Sequence, residues 1–387
     1  MKLRVPPTLL FGRGVLAELP AVVAECGAAR PLLVTDPGVA TTGLPERLCR
    51  DLAAAGLAAA VWDGVAPDPD EEHAERCRDQ LAAGGHDCVV AVGGGSVIDA
   101  AKVAAVLATN GGASADYFGF DLVRRPGLPL ITVPTTAGSG AEVSSHAVLV
   151  RRVPRKKEVV AGIHLLARAA VVDPDATVTL PRTPALHAAL DGLIHAIEAF
   201  LARRANLMTD AYARLAVPRI AGALRQLAGD WGDAAAREEL CWGCLCAGLA
   251  MANANAGAIH ALGYPLTGGY GVPHGLANAL TAAAVLDRTA AVSPERHAEL
   301  VRLLGGIGEG DDGLAAGIRR LLADLGITDT LSGWGVAEND LPRLAEEASA
   351  FRPVLENTPL ALAPADLLEI YRTAFRELRT AGPPWDR

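Results

Sequence analysis

The sequence predicts a two-part chain, an α/β half followed by an all-helical half, on three observations. Short β-branched runs alternate with Ala/Leu-rich helical stretches over residues 1–180, the pattern of βαβ units and a mostly parallel sheet. From Thr183 onward apolar residues recur at helical spacing almost throughout. Between the two, the last strand signal fades near Ala169–Pro174. The expected domains are therefore 1–180 and 181–387.

In the first half, PLLVTD (Pro31 to Asp36) predicts a buried strand ending at a turn, with a helix from Leu44 to Ala55 after it. AAVWDGV (Ala59 to Val65) predicts a second strand. CVVAVGGGSVIDAAK (Cys88 to Lys102) runs from a strand through three glycines into a helix, and LPLITVPTTAGSG (Leu128 to Gly140) is a strand followed by a small-residue loop. In the second half, helical periodicity predicts helices over Ala185–Arg203, Met208–Leu227, Ala234–Asn255, Leu276–Asp287, Pro294–Leu304, Leu314–Leu325 and Pro364–Leu378.

Composition narrows the function. A net charge of −9 argues against a general nucleic-acid binder, which needs a basic face. No apolar run approaches the roughly 20 residues of a membrane helix, and the opening MKLRVPPTLLFGRG lacks the features of a signal peptide. Seven cysteines, an odd count, favour reduced thiols and a cytoplasmic address. Three of them, Cys241, Cys244 and Cys246, sit in a helical stretch with no second pair to complete a metal site, and are expected to pack as core.

Two groups of residues carry chemistry. Asp191 and His195, at i and i+4, share a helix face and can chelate one cation, although a surface Asp–His hydrogen bond has the same spacing. His260 and His274 lie fourteen residues apart in the Gly/Pro-punctuated AIHALGYPLTGGYGVPHGLANAL. One carboxylate and three neutral imidazoles would leave a divalent ion with net charge +1, able to act as a Lewis acid if a coordination position stays open. Upstream, Gly93, Gly94 and Gly95 let backbone amides approach a pyrophosphate, and Ser96 is placed to cap the helix and touch phosphate. GGGS alone is also what a tight strand–helix turn needs. Asp99 and Lys102, at i and i+3, could be an ordinary ion pair. The loop with Thr135, Thr136 and Ser139 can wrap a nicotinamide ribose and pyrophosphate, or simply connect two elements. Asp36, at a strand end, can accept from ribose hydroxyls and would repel a 2′-phosphate, which favours NAD(H) over NADP(H).

Over essentially its whole length the chain resembles the iron-containing (group III) alcohol dehydrogenases. The likeness rests on LLFGRGVLAEL, VTD at Asp36, PDPD around Asp68, GGGSVIDAAK, VPTTAGSGAEVSS, AVVDPDATVTLP, LDGLIHAIEAF and AIHALGYPLTGGYGVPHGLANAL, in that order. It implies an N-terminal Rossmann-like domain and an all-α C-terminal domain, the architecture also of dehydroquinate synthase. It further implies Fe²⁺, or alternatively Zn²⁺, on Asp191, His195, His260 and His274. The implied cofactor contacts are Asp36, Asp68, Gly94, Gly95, Ser96, Asp99, Thr135, Thr136, Ser139 and Lys157, with His146 near the nicotinamide. Two positions depart from the family pattern. Tyr264 stands where relatives commonly carry a second histidine implicated in proton relay. It is a catalytic candidate whose hydroxyl could pass a proton directly or through water, although a phenol of ordinary pKa about 10 is a poorer base. A structural tyrosine packed under the metal loop fits the sequence equally. The basic run RRVPRKK (Arg151 to Lys157) replaces an acidic or mixed-charge turn and is expected to form a solvated hairpin tip.

The resulting expectation is hydride transfer between NAD(H) and a small primary alcohol/aldehyde, working as an aldehyde reductase, in a homodimer with no nucleic-acid or membrane partner. Two alternatives stand beside it. One is reduction of an acidic aldehyde or keto acid such as phosphonoacetaldehyde or maleylacetate. The other is a dehydroquinate-synthase-like lyase or glycerol-1-phosphate dehydrogenase.

Overall fold

In the computed structural model, which describes residues 3–153, 155–305 and 313–377, the chain divides into two compact units, one ending at Pro181 and the other starting at Arg182. The first is an α/β unit. Its elements run β1 (Thr8–Phe11), α1 (Leu19–Glu25), β2 (Pro31–Val34), α2 (Pro37–Ala40), α3 (Leu44–Ala54), β3 (Ala60–Trp62), α4 (Glu71–Gly84), β4 (Cys88–Gly93), α5 (Gly95–Asn110), β5 (Gly119–Phe120), β6 (Leu130–Pro134), β7 (His146–Arg151), β8 (Lys156–Ala161) and β9 (Ala169–Val172). Six strands form one sheet in the order β1-β9-β6-β4-β2-β3, and every pairing in it is parallel.

The parallel arrangement follows from the strand sequences. PLLV and CVVAVG are apolar at successive positions and buried along their whole length, as strands covered on both faces must be. One face packs Leu33, Val90, Val92 and Ile131 against α1 and α3; the other packs Val34, Val89 and Ala91 against residues of α4 and α5. The chain ends of β2, β4 and β6 therefore lie side by side at one edge, where open parallel sheets place ligands. β3 is shorter than its sequence suggested, ending at Trp62. A second sheet, β5-β8-β7, contains the antiparallel β7–β8 hairpin. The basic run lies at its tip as expected, with Val153 largely exposed.

The second unit is helical: α6 (Arg182–Leu201), α7 (Leu207–Gly229), α8 (Ala234–Ala254), α9 (Ala258–Tyr270), α10 (His274–Thr289), α11 (Pro294–Leu304), α12 (Gly313–Asp324), α13 (Leu341–Ser349), α14 (Arg352–Leu355) and α15 (Pro364–Glu377). Each helix predicted from periodicity is present within a few residues; Leu378 lies outside the described residues. The missed elements are α9, α13 and the short α14. In α9 the sequence carries Gly263, Pro265, Gly268 and Gly269, all poor helix formers. The segment is helical because tertiary packing overrides propensity: Tyr371, buried on α15, donates from its hydroxyl to the Leu262 carbonyl at 2.6 Å. Cys241, Cys244 and Cys246 are buried on α8, as expected of core residues. Among the described residues no single helix is long and apolar enough to cross a membrane.

Candidate metal centre and dinucleotide cradle

Within the helical unit, α6 presents Asp191, His195 and Glu198 along one face, since offsets of four and seven residues return to the same side of a helix. All three are buried. His260 sits in the first turn of α9 and His274 is the first residue of α10. Donor atoms of Asp191, His195 and His260 all lie within 4.8 Å of one another. Asp191 is the hub: its Oδ2 is 3.8 Å from His195 Nε2, and its Oδ1 is 3.5 Å from His260 Nε2 and 3.8 Å from His274 Nε2. His274 thus borders the three-residue group through Asp191.

These separations bear on whether the group is a metal centre or a hydrogen-bonded cluster. Hydrogen bonds to nitrogen fall near 2.7–3.2 Å. Four donors at about 2.0–2.2 Å from one ion in a tetrahedron are about 3.3–3.6 Å apart. The observed spacings exceed the first range and lie close to the second. His260 Nε2 is also a buried nitrogen with no hydrogen-bond partner, an expensive state unless something else satisfies it. Nitrogen and oxygen donors without thiolate suit a borderline divalent cation such as Fe²⁺ or Zn²⁺. The residues present therefore fit the implied metal.

The surroundings stabilise that donor set. Burial would raise the Asp191 pKa, but the imidazoles of His195, His274 and His260 hold it well below the usual carboxylate range. One effect competes with the ion: Glu198 and Asp191 outweigh burial and raise the His260 pKa to about 10, so a metal must displace a proton from Nε2 to bind there. Asn278, fully buried, donates from Nδ2 to Asp191 Oδ1 at 2.9 Å. It fits only because α9 has a glycine opposite: a Cβ on Gly263 would lie 2.0 Å from Asn278 Oδ1. The His195 and His260 rings stack at 4.8 Å. Tyr264 follows His260 by one turn, stacks on the His274 ring at 5.4 Å and 7°, and leans on Phe351 at 4.7 Å. Burial, together with the Asp191 and Glu198 charges, pushes its hydroxyl pKa still higher than a phenol's ordinary value.

The α/β unit gathers most of the residues read as cofactor contacts. Gly94 is the N-cap of α5, and a Cβ there would meet Thr136 at 3.1 Å; one on Gly95 would meet Ser139 at 3.1 Å. The Thr135 amide donates to the Gly93 carbonyl at 3.1 Å. The two small-residue loops thus close on each other at the ends of β4 and β6. Ser96 lies in the first turn of α5 rather than at its cap, so the capping role read from sequence is not its role. Asp36 caps α2, with Oδ1 accepting from the Val39 amide at 3.0 Å. Asp68 adopts a left-handed φ of 49° and pairs with Lys157 Nζ at 3.0 Å; strain of that kind gathers at functional sites. Asp99 faces inward instead: its Oδ2 accepts from the Val148 amide at 2.9 Å, tying α5 to β7. Lys102, also buried, donates to Ser144 Oγ at 2.8 Å and to the His146 carbonyl at 2.7 Å.

Sequence reasoning passed over Glu198, Asn278, Gly263 and Gly275. For Glu198 a signal existed, its place seven residues after Asp191 on the ligand face. For the others none did, because their partners lie on different helices.

A glycine cradle on a parallel sheet, and a carboxylate–imidazole centre in a helical unit, are the parts of a metal-dependent oxidoreductase. The comparisons with known proteins give the family. Residues 6–174 match the model "Iron-containing alcohol dehydrogenase" and residues 185–375 match "Fe-containing alcohol dehydrogenase family, C-terminal". Long-chain-alcohol dehydrogenase 1 of Geobacillus thermodenitrificans is 36% identical, covering 96% of this chain and 95% of that one. The NAD-dependent methanol dehydrogenase of Bacillus methanolicus is 31% identical, covering 96% and 99%. The crystal structure of a 1,3-propanediol oxidoreductase superposes with a TM-score of 0.93 at 32% identity, covering 97% and 99%. The chain belongs to the iron-containing alcohol dehydrogenase family.

Proposed function

We propose that the protein is a metal-dependent oxidoreductase that transfers a hydride between NAD(H) and a small primary alcohol/aldehyde pair, working as an aldehyde reductase. The observation that carries this reading is the orphaned, buried His260 Nε2 beside Asp191 and His195. Asp191, His195, His260 and His274 would hold the metal, Fe²⁺ or alternatively Zn²⁺. When bound, the metal supplies Lewis-acid polarisation of the substrate oxygen and the nicotinamide supplies or accepts the hydride. Asn278 keeps Asp191 turned toward the imidazoles. The stacking of Tyr264 on the His274 ring supports a positioning role, holding that imidazole.

Gly94, Gly95, Ser96, Thr135, Thr136 and Ser139 would line the pyrophosphate and ribose, with Asp68, Lys157 and His146 nearby, and Asp99 acting through the α5–β7 tie. Asp36 keeps one carboxylate oxygen beyond its cap bond, which supports NAD(H) over NADP(H). Names among the relatives, a long-chain-alcohol and an NAD-dependent methanol dehydrogenase, support the alcohol/aldehyde class and the cofactor. Much of the basic hairpin is already neutralised: Arg151 and Lys156 pair with Glu158, Arg152 with Glu72, and Lys157 with Asp68. The same reading carries a cytoplasmic homodimer, for which light scattering is the check.

The test is NADH oxidation by the metal-loaded protein across neutral and anionic aldehydes. Net turnover with neutral primary aldehydes, abolished in His260→Ala along with metal binding, is the expected result. Turnover that survives stoichiometric metal loss would sink the proposal, and cofactor recycling without net oxidation would move the chain to the lyase alternative.

A further inference from the structure

We propose that Glu198 is the positioning residue of the metal centre: it fixes His260 in the tautomer that leaves Nε2 bare for the ion, and pins the turn that delivers it. The inference rests on the metal reading above. Glu198 Oε2 is 2.5 Å from His260 Nδ1 and 3.0 Å from the Gly257 amide; Oε1 is 2.7 Å from the Ile259 amide.

The chemistry follows from counting protons. A neutral imidazole has one N–H and one lone pair, and a metal needs the lone pair. Two of the groups facing Glu198 are backbone amides, which can only donate. A carboxylate that accepts from both is an acceptor toward His260 as well, so Nδ1 carries the hydrogen. The opposite tautomer would set two lone pairs against each other at 2.5 Å. It would also aim its N–H at an Asp191 oxygen 3.5 Å away, too far for a good hydrogen bond. With Nδ1 protonated, the bare Nε2 points at the Asp191 carboxylate.

The carboxylate acts on the backbone too. Gly257 precedes α9, and a Cβ there would lie 2.9 Å from Glu198 Oε1. From the other side, Asn357 Nδ2 donates to the carbonyls of Ala254 and Ala256 at 2.8 Å. The turn carrying His260 is therefore gripped twice, and α6 controls three of the four donors, two directly and one through Glu198. A second buried carboxylate also balances the charge, since Asp191 and Glu198 together offset a divalent ion. An ordinary cap for α9 would share the two amide bonds, but would have no effect on the imidazole.

The experiment compares full-length wild type with Glu198→Gln. Whichever way the glutamine amide turns, its NH₂ meets a backbone donor, Gly257 at the Oε2 position or Ile259 at the Oε1 position, so the grip on the turn is broken. In the first orientation it also donates to Nδ1, moving the hydrogen to Nε2 and blocking it. Chelator competition for Zn²⁺ should show binding weakened about 10- to 100-fold, while the metal-free melting temperature reports folding separately. Equal Zn²⁺ affinity in the two proteins overturns the inference. Failure of the wild type itself to bind Zn²⁺ or Fe²⁺ overturns the metal reading instead. If the variant does not fold, wild type labelled with ¹⁵N-histidine decides: Zn²⁺-loaded His260 should show the Nδ1–H tautomer, and an Nε2–H pattern overturns the inference.

Discussion

Gly275→Ala tests whether the α6–α10 contact sets the position of His274. A Cβ on Gly275 would lie 1.9 Å from the His187 carbonyl oxygen, 2.9 Å from its carbon and 3.0 Å from Asp191 Cβ. The first two obstacles are helix backbone, which cannot swing away as a side-chain end would. Since real Cβ contacts stay beyond 3.0 Å, the first turn of α10 must retreat by at least 3.0 − 1.9 = 1.1 Å. His274, one residue earlier, moves with it. Overpacking of this kind costs about 1–3 kcal/mol. At about 2–4 °C per kcal/mol for a unit of this size, the melting temperature should fall by roughly 2–12 °C. A displacement of order 1 Å at a reacting centre costs on the order of 100-fold in rate. Three measurements on one preparation suffice: a thermal melt, metal content, and kcat for NADH-linked aldehyde reduction. Gly268→Ala is the control, because a Cβ there meets nothing within 4 Å and replaces a glycine inside α9; it should be neutral or stabilise by up to about 1 kcal/mol. If Gly275→Ala keeps wild-type metal content and kcat, the close contact does not hold His274 and the argument is wrong.

Three further outcomes are expected. Tyr264→Phe keeps the ring on His274 and should retain kcat within a few-fold; a loss of about 100-fold or more would restore the hydroxyl to proton transfer. Asp36→Ser can still cap α2 but lacks the charge, so the ratio of kcat/KM for NADPH over NADH should rise, and an unchanged ratio would remove Asp36 from cofactor choice. Burial pushes the Glu142 pKa up to about 7, so between about pH 4.5 and 7 the folded state holds a proton that the unfolded state releases. Stability should therefore fall as pH rises through that window. Glu142→Gln should flatten the fall in a series of melts, and an identical slope would show that Glu142 titrates normally.

How much of this was legible depends on where each residue's partner lies. The parallel sheet could be read because PLLV and CVVAVG are apolar at every position, a property of the strand alone. Asp191 and His195 could be paired because one helix turn separates them. α9 could not be read, because Gly263 and Pro265 argue against a helix locally. Gly263 is used for the room it gives Asn278 on α10, not for the backbone freedom that glycine suggests in a sequence. Gly275 is the same case, a glycine inside a helix that permits the approach of α6 and α10.

Glu198 marks the same boundary from the polar side. On α6 alone its place on the ligand face is only a pointer, since helical carboxylates are mostly solvated. Its meaning arises only when the turn before α9 brings two amides and an imidazole to it. Burying a carboxylate is costly unless its oxygens are met by donors, and here three donors meet them. The ligands could be foreseen because metal chemistry demands their residue types. The groups that orient them, Glu198 on His260 and Asn278 on Asp191, can be drawn from many residue types and are chosen by the packing of α6, α9 and α10. A substitution at these two positions should therefore alter metal affinity while the ligand set stays intact. Sequence motifs built on the ligands alone would give no warning of that change.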